Sequence, residues 1–149
     1  MNPDVPSLEA CRRLAKVWPD TDDAQERAWW LVDGASGDSD LCEGYTRRSW
    51  TLEALDELYP APTIGEMLAE IRRRGWQVSL STVGYGSAED RFKATLWQMD
   101  KGDCARRRII LGHVCADEPA DALANALAEA LAEPRRWPRR TRRSGNEPL

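Results

Sequence analysis

Between Thr63 and Ala132 the chain runs through a helix marked at both ends, three strand-like segments and an alanine-rich helix. That order admits few folds other than a compact α-β-β-β-α unit. Thr63-Ile64-Gly65-Glu66 is a capping box: the threonine hydroxyl accepts from the amide three residues on, and the glutamate reaches back to the threonine amide. Ile64, Met67, Leu68 and Ile71 supply the apolar stripe. Arg72 to Arg74 meet the negative end of the helix dipole, and Gly75 provides the left-handed residue that ends the helix. Trp76, Val78 and Leu80 then alternate with Gln77, Ser79 and Ser81, the pattern of a half-buried strand, and Gly84-Tyr85-Gly86-Ser87 turns the chain. In the second strand Phe92, Ala94 and Leu96 share one face, while Arg91, Lys93, Thr95, Trp97 and Met99 share the other.

The third strand, Arg108 to Ala116, is apolar on both sides, which predicts a central strand covered on both faces. The last helix opens at Asp117-Glu118-Pro119-Ala120-Asp121, with acids at the positive end of the dipole and proline in the first turn. Leu123, Leu127 and Leu131 form its stripe, the alanines between them permit close approach to a sheet, and Pro134 ends it. The predicted class is α+β: a small antiparallel sheet with helices packed on its faces, like an αβα sandwich. Trp97, Met99, Ile110 and Val114 leave apolar character on the second face, so the N-terminal half is expected to cover part of it.

Ahead of this unit, Leu8, Cys11, Leu14, Val17 and Trp18 recur at helical spacing, with Ser7 as cap and Pro19 as stop. Arg27–Val32 and Leu41–Tyr45 flank Asp33-Gly34-Ala35-Ser36-Gly37-Asp38-Ser39-Asp40, which predicts a hairpin. Thr51 to Leu58 predicts a short helix, ended by Tyr59-Pro60-Ala61-Pro62 because a residue before proline is pushed out of the α region. Residues 1–133 thus form one domain, with 7–58 as its N-terminal part and 63–133 as the α-β-β-β-α unit.

The 149 residues carry a net charge of -4, unevenly placed: residues 1–133 hold -9, and 134–149 hold +5 from six arginines against Glu147. The basic tail has too little apolar surface to fold alone and is expected to be disordered without a partner. No apolar run approaches the roughly 20 residues of a membrane span, and Met-Asn-Pro-Asp-Val-Pro lacks the pattern of a secretory signal. A cytoplasmic protein is the expectation. Cys11, Cys42, Cys104 and Cys115 include no Cys-x-x-Cys pair, so reduced, mostly buried thiols are expected.

Tyr59-Pro60-Ala61-Pro62-Thr63-Ile64-Gly65-Glu66-Met67-Leu68, the three strands, and Glu118-Pro119-Ala120-Asp121-Ala122-Leu123 together resemble small uncharacterised phage and prophage proteins of the αβα-sandwich type. The opening Leu8-Glu9-Ala10-Cys11-Arg12-Arg13-Leu14-Ala15 ahead of a tryptophan-rich hairpin is similar to theirs too, so the likeness covers most of residues 7–133. It implies an accessory protein of the bacterial cytoplasm that binds a host or phage protein, such as a defence or regulatory complex. It carries no catalytic residue across.

Other chemistries fare poorly. A double-stranded RNA-binding domain has the same element order, but Asp117, Glu118 and Asp121 would repel a duplex where that fold places lysines. His113, Cys115 and Cys104 fall short of the four ligands of a closed zinc site, and His113 with Cys115 has no residue to orient a nucleophilic pair, so both are assigned to buried packing. Asp33, Asp38 and Asp40 do not follow the EF-hand spacing, and Gly84-Tyr85-Gly86 precedes no helix start that would make it a phosphate loop. No catalytic residue, metal, cofactor or small-molecule ligand is expected. The alternative to a protein partner is nucleic acid held by the tail: Arg135, Arg136, Arg139, Arg140, Arg142 and Arg143 neutralise phosphates while Trp137 stacks on a base. An enzyme built from Asp, Glu and Cys groups is the weakest alternative.

Overall fold

The computed structural model describes residues 3–18, 26–46, 57–83, 91–100 and 107–132. In chain order these are α1 (Leu8–Ala15), β1 (Arg27–Val32), β2 (Ser39–Tyr45), β3 (Glu57–Ala61), α2 (Ile64–Arg73), β4 (Gln77–Val83), β5 (Arg91–Asp100), β6 (Arg107–Ala116) and α3 (Pro119–Ala132). The class is α+β, with two antiparallel three-stranded sheets, β2-β1-β3 and β4-β5-β6.

Helix α2 begins and ends as its sequence dictates. The Glu66 amide donates to Thr63 Oγ1 at 3.1 Å, and the Thr63 amide donates to Glu66 Oε1 at 3.0 Å. At the other end Gly75 takes φ 78°, its amide donates to the Arg72 carbonyl and the Trp76 amide donates to the Ile71 carbonyl, a Schellman closure. Glu66 does a second job. Its Oε2 lies 3.8 Å from the guanidinium of Arg27, whose side chain is 5% exposed, so the cap of α2 is tied to β1. Similarly, the amide of Ser7, the cap residue of α1, donates to Asp121 Oδ1 in the first turn of α3 at 2.6 Å.

Helix α3 lies on the inner face of the second sheet, α2 packs beside it over β4, and α1 packs on α3 and against β3. The main core joins Leu14, Met67, Ile71, Ala94, Leu96, Leu111, Leu123 and Leu127, with the alanines of α3 between them. The close approach that these alanines permit is visible at Gly112. A Cβ there would overlap the Ala126 carbonyl, so β6 and α3 meet backbone to backbone. A smaller cluster of Val5, Cys11, Ala28 and Ala61, with Trp30, Leu41 and Tyr59 against it, joins the first sheet to α1.

Three expectations are corrected. Glu57 and Leu58 belong to a strand, not to the end of a short helix: Leu58 pairs with Leu31, Tyr59 with Trp30, Pro60 with Trp29 and Ala61 with Ala28. Pro60 fits because β3 is an edge strand, where a missing N–H costs no ladder bond. The rest of that proposed helix, 51–56, lies outside the described residues, as does the turn at 84–87.

Second, β6 is an edge strand and β5 is central. The two-sided apolar pattern of β6 comes from a bulge. Leu96 pairs with Gly112 but Trp97 pairs with Ile110, leaving Leu111 as the extra residue. The inner face therefore takes Ile109 before the bulge and Gly112, Val114 and Ala116 after it, a change of phase that mimics burial on both sides. Third, among the described residues the N-terminal half is not seen to pack over the outer face of the second sheet. Its helix meets α3 and β3 instead.

Candidate functional site

Two open grooves border α1. One, of about 620 Å³, is lined by Arg12, Ala15, Lys16, Glu57 and Tyr59. There Arg12 lies 3.2 Å from Glu57 Oε1 and 5.6 Å from the centre of the Tyr59 ring, and the Tyr59 hydroxyl donates to Glu57 Oε2 at 2.6 Å. The hydroxyl bond, reinforced by Arg12, holds the Glu57 carboxyl below its ordinary range, while burial and that same bond push the Tyr59 phenol up. Neither group is poised to exchange a proton near neutral pH. The trio braces α1 against β3.

The other groove, of about 500 Å³, runs beside β6 and includes Arg13, Val114, Asn125 and Glu129. Three of its polar side chains are engaged: Arg13 donates to Asn125 Oδ1 at 3.1 Å, and the His113 amide donates to Glu129 Oε1 at 2.9 Å.

The outer face of the second sheet is different in kind. Cross-strand register places Ser79, Thr95 and His113 in one row, Ser81, Lys93 and Cys115 in a second, and Gln77, Trp97 and Ile110 in a third. Met99 beside Arg108 continues the face at one end, and Arg91 beside Val83 continues it at the other. Among the described residues the elements packed on this sheet are helices of the inner face; on the outer rows Gln77, Ser79, Ser81, His113 and Cys115 are exposed, and Lys93, Thr95, Trp97 and Ile110 are half-buried. None of the residues in those rows is acidic, although residues 1–133 carry -9. Asp117 approaches only the margin, 3.4 Å from Arg91. The Arg108 guanidinium lies 4.7 Å from the centre of the Trp97 ring, a cation–π pair that keeps the indole and the charge side by side. His113 Nδ1 and Thr95 Oγ1 are 3.0 Å apart. The result is a strip of cations, an aromatic ring and small hydroxyls, together with apolar Met99 and Ile110.

The expectation that His113 and Cys115 are packing residues is overturned, because the bulge turns both onto this face, where they are exposed. Cys104 lies outside the described residues, and among those described no group of histidine, cysteine, aspartate and glutamate is arranged to hold a metal. Asp33, Asp38 and Asp40 are exposed at the β1–β2 hairpin, where Asp33 Oδ1 accepts the Ala35 amide at 2.9 Å and closes the turn locally. The tail residues Arg135, Arg136, Trp137, Arg139, Arg140, Arg142 and Arg143 lie outside the described residues. The apolar end of the open face was visible in the alternation of β5. Its grouping with Arg108 and His113 was not, since the bulge hides which β6 residues share that side.

No family model, curated protein or solved structure matches the chain.

Proposed function

We propose that the protein is an accessory factor of the phage or prophage kind, working in the bacterial cytoplasm by binding a host or phage protein and performing no chemistry itself. The observation that carries this is the open outer face of the second sheet, a carboxylate-free strip holding Lys93, Trp97, Arg108 and Ile110 on an otherwise acidic body. Such a face suits a partner presenting acidic groups around an apolar patch, because charges orient the encounter and a buried aromatic supplies the affinity. No described helix is long and apolar enough to cross a membrane.

A second reading has its own observation. Trp97 beside Arg108 is also the pairing on which a base stacks while a phosphate is neutralised, and the arginine tail would supply further cations for phosphates. One experiment separates the two. Wild type, Trp97→Ala with Arg108→Glu, and a truncation after 133 are compared for capture of host or phage proteins and for retention on single-stranded DNA and RNA. A protein partner lost with the face variant but kept by the truncation is the expected result. Retention on nucleic acid that falls steeply with salt and disappears in both variants would replace the protein partner with nucleic acid. A face variant that stays folded and keeps every partner would remove the face from the proposal.

A further inference from the structure

A sheet edge is a row of unpaired backbone groups, and proteins normally obstruct it. Among the described residues the two sheets have four edges, and three of them are obstructed. On β2, Asp40 and Glu43 bring charge, Gly44 takes φ 84°, and a register shift interrupts its pairing with β1. Strand β3 carries Pro60 and is packed by α1. On β6 the outward amide of His113 is taken by Glu129.

The fourth edge, β4, has none of these devices among the described residues. Gln77-Val78-Ser79-Leu80-Ser81-Thr82-Val83 contains no charge, proline or glycine, and its residues from Ser79 to Thr82 are all exposed. Three large hydrophobic side chains stand exposed among the described residues, and two of them are at this side of the molecule: Leu80 on β4, at 41%, and Leu68 on the adjoining α2, at 38%.

The direction of the free backbone groups follows from β6. Since the His113 amide points away from β5, His113 and Thr95 form a non-hydrogen-bonded pair, and Thr95 directs its own backbone groups toward Ser79 of β4. Ser79 and Ser81 thus bond inward, and Val78, Leu80 and Thr82 present their amides and carbonyls to the outside.

We propose that β4 is a self-association edge: two copies of the chain pair antiparallel through Gln77–Val83 about a twofold axis at Leu80, joining their second sheets into one. The occupant is a second copy because the strand is complementary to itself, as a twofold interface requires. Leu80 meets its own counterpart, Val78 meets Thr82 of the second copy, and on the outer face Ser79 meets Ser81. No like charges meet within the pairing. Dimerisation would also make the two open faces continuous. The inference does not depend on what those faces bind.

Sedimentation of the full chain over a range of concentrations tests it, with amide hydrogen exchange on the same samples. The expected result is a reversible dimer in which the Val78, Leu80 and Thr82 amides are protected. Leu80→Lys sets like charges opposite each other, weakening the dimer by about tenfold or more and exposing those three amides. Ser79 and Ser81 should remain protected, which reports an intact fold. Thr82→Lys provides a second variant with the same expected outcome, and Tyr45→Lys, exposed on the first sheet, should leave the dimer unchanged. A chain that is monomeric throughout, a dimer indifferent to both β4 variants, or free exchange at the three amides within the dimer would each overturn the proposal.

Discussion

Cys11 and Cys115 are the same functional group in opposite surroundings. Cys11 is fully buried, its thiol 3.7 Å from the Pro6 carbonyl, and burial, assisted by the charge of Asp121, pushes its pKa up to about 12 despite a contact with Trp30 that lowers it. Cys115 stands exposed on the outer face of β6. Only the thiolate reacts, so brief alkylation of the native protein near neutral pH should label Cys115 and leave Cys11 intact until the chain is unfolded. Peptide mapping reads both sites, and early labelling of Cys11 would contradict its burial. Helical spacing in α1 foretold the inward position of Cys11, because that stripe depends on one element alone. The exposure of Cys115 and His113 was not legible, because it depends on the bulge at Leu111, and a bulge is defined only by the partner strand.

The helices carry local instructions that tertiary packing reinforces. Thr63→Ala removes the hydroxyl that accepts the Glu66 amide and should cost about 1 kcal/mol. Leu127→Ala opens a cavity in the main core, where Leu127 has no exposure, and should cost about 2–5 kcal/mol. Urea melts of the two variants should preserve that order; a more damaging Thr63→Ala would mean that the site under α3 collapses with little loss. Caps were readable because they join groups within a few residues of one another. Strand β3 was not, since Leu58 and Tyr59 become strand residues by pairing with Leu31 and Trp30, far away in the chain. Propensity is a weak prior where such pairing is available.

At the scale of the molecule, acid should loosen two carboxylate anchors together. The Tyr59 hydroxyl and Arg12 hold Glu57 below its ordinary value of 4.5, and the guanidinium groups of Arg73 and Arg74 do the same for Glu70. A group depressed in the folded state stabilises it fully above the unfolded value, and that contribution is lost as pH falls through the lower folded value. The thermal midpoint should therefore decline below about pH 4.5. A Glu57→Gln, Glu70→Gln variant should begin lower at neutral pH and decline less steeply; equal slopes would assign acid sensitivity to other carboxylates. What the sequence by itself determined is the set of elements whose signals are short-range: α1, α2 and α3, the N-caps of α1 and α2, the β1–β2 hairpin and the alternation of β4 and β5. Tertiary structure alone decided the edge position of β6, the pairing of β3 onto β1, and the gathering of Lys93, Trp97, Arg108 and His113 on one open face. Those features are set by register between strands, and a shift of one residue exchanges the two faces of a strand without changing a letter of its sequence.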